Sequence, residues 1–124
     1  METPYEDLVT QEQVEDLMAE DGGAAIVDFW SPTCGPCMAM APDFEAVAAE
    51  MGESRVRFCK INTGDHPHLA APFNIRSVPT LAFVLDGEVV DVIVGKVERS
   101  RLVRRAAWLD KKASGAGFFA RLFS

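Results

Sequence analysis

The chain has 124 residues, 48% of them hydrophobic, and a formal charge of −7 from 19 acidic and 12 basic side chains. That size suits one domain around a single core, and the net charge argues against nucleic-acid binding. The acidic N-terminus lacks the positive start and apolar run of a secretory signal, and Asp or Glu interrupts every long apolar stretch, so no membrane span is expected and the expected location is the cytoplasm.

Thr10 has the signature of a helix N-cap, with Gln13 placed to complete a capping box and Val9 to staple onto Val14. Val14, Leu17 and Met18 form the apolar stripe of this helix, which Gly22-Gly23 should stop. AAIVDFW, residues 24–30, is a short apolar run suited to a strand buried on both faces. It leads directly into Cys34-Gly35-Pro36-Cys37. From there Met40, Phe44, Val47, Ala48 and Met51 recur at helical steps, so a helix starts at or just after Cys34 and should kink at Pro42.

VRFCKI reads as another strand, and HPHLAAPF as a short helix with Pro67 near its start and Asn74 closing it in the left-handed conformation. PTLAFVL and EVVDVIV flank Asp86-Gly87, the strongest short-range signal for a two-residue hairpin. A final helix, about 98–113, carries Leu102, Ala106, Leu109 and Ala113 on one face. The order βαβα, hairpin, helix predicts an α/β fold with a mixed central sheet flanked by helices on both faces. The domain is expected over 1–113, with 114–124 a Gly/Ser break and short apolar tail.

A CxxC pair in a reducing compartment indicates metal binding or redox catalysis. Zinc would need Cys59, His66 or His68 to complete four ligands, and those spacings fit no ligand pattern, so no metal is expected. Cys59, in a central strand, reads as a core residue.

VDFWSPTCGPCMAMAP at 27–42, KIN at 60–62, SVPT at 77–80 and Gly95 together resemble the thioredoxin family, in order and with family-like spacing, over roughly residues 5–112. The resemblance implies the thioredoxin fold, a dithiol–disulfide oxidoreductase activity, a cis bond before Pro79 and no cofactor. It implies disulfide-containing target proteins as partners and a thioredoxin reductase or equivalent dithiol donor. A monomer is expected, with no nucleic-acid or membrane partner. Gly35-Pro36 is the dipeptide of the reducing members, and Val78 and Pro79 would present backbone to the substrate, with Thr33, Gly35, Pro36 and Gly95 completing that surface.

Physical chemistry assigns roles within this frame. Cys34, at a helix N-terminus, is favoured as thiolate and nucleophile; Cys37, one turn in, is the shielded resolving thiol, and the two form the redox disulfide. Asp28 is an acid in an apolar strand, so burial should raise its pKa and let it take a proton from Cys37, with Lys60 modulating it. The alternative is an acid that merely pairs with Lys60. Trp30 reads as packing.

Two positions depart from the family pattern. Thr33 replaces an aromatic and removes apolar docking surface, and Met38 replaces a cation that would help keep Cys34 ionised. Residues 1–54 carry −13 and 55–124 carry +6; Arg101, Arg104, Arg105, Lys111 and Lys112 read as a solvated helix face. Phe118, Phe119, Leu122 and Phe123 would share one side of a helical tail that folds back onto the domain or docks into a partner. The expected function is general cytoplasmic reduction of protein disulfides. The alternatives are a dedicated electron donor to one partner and a non-catalytic thioredoxin-like binding module.

Overall fold

A computed structural model describes residues 3–123, with side chains described through residue 115. The elements are β1 (Glu6–Asp7), α1 (Gln11–Leu17), β2 (Ala24–Trp30), α2 (Gly35–Glu50), β3 (Val56–Asn62) and α3 (Pro67–Ala70) with a 3₁₀ turn at Ala71–Phe73. β4 (Thr80–Leu85), β5 (Glu88–Val94) and α4 (Arg99–Phe123) follow. The sheet order is β1-β3-β2-β4-β5. β1, β3 and β2 run parallel, whereas β4 is antiparallel to both β2 and β5.

Side chains alternate across the sheet and build two cores. Ile26, Phe58, Leu81 and Phe83 pack with Met40, Phe44 and Val47 of α2 and Leu102, Ala106 and Leu109 of α4. Val27, Phe29, Cys59, Ile61 and Val84 pack on the opposite face with Val14 and Leu17 of α1 and Leu69 of α3. Helices therefore cover both faces, as expected. The alternation places Asp28, in step with Ile26, toward α2 and α4.

Local signals in the sequence are realised closely. Thr10 accepts from the Gln13 N–H while the Gln13 side chain accepts from the Thr10 N–H, completing the capping box. Asn74 is left-handed at φ 57°, and Asp86 and Gly87 take φ 49° and 83°, as a type I′ turn requires. α2 runs without interruption from Gly35 to Glu50 with Pro42 inside it.

Other expectations need correction. β1, two residues long, has no periodic signal and is an additional strand beyond the expected elements. α1 ends at Leu17, before Gly22-Gly23, and the chain turns through residues 18–21. Gly22 is required by that turn, because a Cβ there would lie 2.5 Å from the Leu17 carbonyl oxygen. Val9, expected to staple onto Val14, remains 47% exposed.

Arg105 is not part of a solvated face. It is half-buried, pairs with Asp91 of β5 and stacks 4.1 Å from the Trp108 ring centroid. Nor does the backbone of α4 break at 114–117; glycine costs only about 1 kcal/mol in a helix, too little by itself to end one. The side chains of Phe118, Phe119, Leu122 and Phe123 lie outside the described residues.

Candidate active site

β2 delivers the chain to the N-terminus of α2 through a short loop held by its own polar groups. The Thr33 N–H donates to Ser31 Oγ at 3.3 Å, and the Cys34 N–H donates to the Ser31 carbonyl at 3.1 Å. Cys34 is the N-cap of α2 with extended backbone, and its Sγ accepts from the Cys37 N–H at 3.2 Å. Pro36 sits in the first turn, where no intrahelical donor is needed. The two cysteines are joined by a disulfide with Cα atoms 5.3 Å apart. Cys34 is half-buried and Cys37 only 2% exposed. Thr33, Gly35 and Pro36 are exposed around the pair.

Facing Cys34 is the bend before β4. The Val78–Pro79 bond is cis, and the Val78 carbonyl oxygen lies 3.7 Å from Cys34 Sγ. The bend is fixed on two sides: the Gly95 N–H donates to the Pro79 carbonyl at 2.8 Å, and the Thr80 hydroxyl donates to the Ser77 carbonyl at 2.7 Å. A groove of about 400 Å³ lined by Thr63, Pro67, Ala70, Ile75, Arg76 and Val78 opens beside it.

Asp28 is 1% exposed and its Oδ1 has no hydrogen-bond partner. Burial pushes its pKa up to about 7, and Lys60 works in the opposite direction. Lys60 is its register partner on β3, yet among the described residues no ion pair joins them. The Lys60 ammonium instead lies 4.9 Å from the ring centroids of both Tyr5 and Trp30. The reading of Asp28 as simply an ion-pair partner thus does not describe the geometry. Trp30 is half-buried, and its ring is one of the two that face this cation.

Cys59 is buried in the core on the other face of the sheet, away from α2. Among the described residues no group of three or more His, Cys, Asp or Glu side chains gathers to hold a metal. Tyr5 is the site neighbour that the sequence did not reveal. It belongs to no motif, and its place beside Lys60 depends on β1 pairing with β3.

The family model for Thioredoxin matches residues 6–107. The chain belongs to the thioredoxin family. Thioredoxin 1 of Synechococcus elongatus is 38% identical over 103 residues, covering 83% of this chain and 92% of that one. The thioredoxin of Porphyra purpurea is 48% identical over 77 residues, 62% of this chain and 71% of its own. Among solved structures, the thioredoxin of Malassezia sympodialis superposes with a TM-score of 0.77 at 26% identity, covering 86% of this chain and 90% of its own.

With the cysteine pair at disulfide distance, this member of the thioredoxin family is a thiol–disulfide oxidoreductase that carries electrons through a redox-active disulfide. Its partners are, in general, disulfide-containing targets and a reductase donor. No helix among the described residues is long and apolar enough to cross a membrane.

Proposed function

We propose that the reduced protein attacks target disulfides through Cys34 and resolves through Cys37. Cys34 thiolate attacks one sulfur of the target disulfide, forming a mixed disulfide and releasing one target thiolate. Cys37 gives its proton to Asp28 and attacks Cys34 Sγ, releasing the second target thiolate and leaving Cys34–Cys37 oxidised. Two electrons pass from protein to target; when a reductase returns two electrons to the disulfide, Asp28 gives its proton back to Cys37 and Cys34 returns as the thiolate.

The observation that carries this assignment is the asymmetry of the pair. Cys34 is accessible and receives the Cys37 N–H at the positive end of α2, whereas Cys37 is almost fully buried. A thiolate is stabilised at the first position and shielded from second partners at the other. Asp28, on the same side of the sheet as α2 and with a pKa near neutrality, is suited to exchange the Cys37 proton. Lys60 tunes that acid through space. Thr33, Gly35, Pro36, the Val78 backbone, Pro79 and Gly95 receive the target chain.

On this reading the catalytic unit is residues 1–113, it works as a monomer in the cytoplasm, and its targets are general. Insulin reduction driven by dithiothreitol tests the roles. Cys34→Ser should abolish turnover, while Cys37→Ser attacks once and remains as a mixed disulfide that a non-reducing gel or intact mass detects. Trapping by Cys34→Ser would reverse the assignment.

A further inference from the structure

Lys60 lies between two carboxylates. Asp7 of β1 is its register partner on one side and Asp28 of β2 on the other. In a parallel sheet register partners share a face, so its flexible side chain has an acid available in either direction. Among the described residues it forms an ion pair with neither. Its ammonium instead stands equidistant from the Tyr5 and Trp30 rings, with only 7% of the residue exposed.

We propose that Tyr5 is a positioning residue for Asp28: with Trp30 it holds the Lys60 ammonium on aromatic faces and so prevents Lys60 from closing an ion pair with Asp28. The inference rests on the reading of Asp28 as the proton acceptor from Cys37. Ring faces attract a cation through the quadrupole without supplying a full negative charge, so Lys60 is held without neutralising either acid. A direct contact would favour the ionised carboxylate and draw its pKa down. The unpartnered Oδ1 and the value of about 7 are what a carboxyl looks like when that contact is withheld.

Asp7, Asp65 and His66 line one pocket with Lys60 and Trp30, so these are the titratable groups on the solvent side of the cation. Lys60 is the cation acting on Asp28 from β3, and Cys37 lies on α2, which packs over the same face. β4 presents apolar Leu81 as the register partner of Asp28, and α4 contributes Leu102, Ala106 and Leu109 to that face. Burial, then Glu45 of α2 and Asp7 of β1, raise the Tyr5 pKa, so its ring carries a neutral phenol at neutral pH.

Titration of the Asp28 carboxyl carbon by NMR in the oxidised protein, where neither active-site thiol titrates, is the direct test. Tyr5→Leu and Tyr5→Met should lower the midpoint by about one pH unit or more, as a new opposite charge at contact does. Tyr5→Phe, which keeps the ring, should leave it unchanged. In a Lys60→Met background Tyr5→Leu should have no effect, which separates release of the cation from simple entry of water.

An unmoved midpoint in whichever ring-free variant folds, an equal shift without Lys60, or a Tyr5→Phe that behaves as Tyr5→Leu would each overturn the proposal. The pH profile of insulin reduction distinguishes the two layers. A midpoint that moves while the rate profile does not would retain Tyr5 as the positioning residue and refute Asp28 as proton acceptor.

Discussion

Asp28 makes stability fall as pH rises, the reverse of the usual carboxylate held by an ion pair. Its unfolded pKa is near the ordinary 3.8 and its folded value about 7. Below about pH 4 both states are protonated and the group contributes nothing relative to its neutral form. Between the two values the folded state keeps a proton that the unfolded state has lost, so each added pH unit costs folding free energy; above about 7 the cost levels off. Three units correspond to about 4 kcal/mol as an upper estimate. Asp28→Asn removes the charge, so in denaturant melts of the oxidised protein its advantage should be larger at pH 8 than at pH 5, with slower disulfide reduction. Equal advantages at the two pH values would refute a raised pKa.

Cys59 titrates in the same direction for the same first cause, burial, with Glu6 adding repulsion, and its thiol is pushed up to about 12. In a Cys34→Ser/Cys37→Ser double variant the remaining thiol should label far more slowly in the native protein than after unfolding, and rapid native labelling would contradict its role as core. At this scale the legible residues were those whose chemistry is local. CGPC specifies its own helix start, and an acid in an apolar strand announces its burial. Tyr5 could not be found that way, because its function depends on a cation far along the chain that only strand pairing brings near.

Elements were legible where periodicity or turn chemistry is strong. β2, α2, β4 and β5 each carry a long enough pattern, and Asp86-Gly87 specifies the hairpin. β1, at two residues, has no pattern to read, and α1 closes before the glycines because the turn that follows needs Gly22 for close approach. The hairpin also touches that turn: a Cβ on Gly87 would lie 2.7 Å from the Met18 carbonyl oxygen at a φ of 83°. Gly87→Ala combines a left-handed strain with a backbone collision, and a loss of about 1–3 kcal/mol is expected. Denaturant melts read this directly. The reduction rate should be unchanged wherever the variant is folded, since the turn lies at the opposite end of β4 from Pro79.

On the scale of the molecule, the family match ends at residue 107 and, among the described residues, the last fully buried side chain of α4 is Leu109. Truncation after Ser114 should therefore leave insulin reduction by the remaining chain intact, and loss of activity would show that the unit extends into the tail. α4 is joined to the rest partly through charge. Arg99 pairs with Glu50 of α2, Asp110 with Arg55, and Arg105 with Asp91. Each exposed pair contributes at most about 1 kcal/mol, so the apolar stripe of Leu102, Ala106 and Leu109 carries most of the docking.

The uneven distribution of charge bears on the order of synthesis. β2 is the middle strand, and both of its sheet neighbours, β3 and β4, lie after residue 54. While residues 1–54 emerge, this buried strand has nothing to pair with, and it lies within a segment of −13. Like charge on nascent chains keeps such strands from finding one another. The cations that follow, Arg57 onto Glu6 and Arg99 onto Glu50, then discharge part of that repulsion only as the native sheet and its last helix close over it.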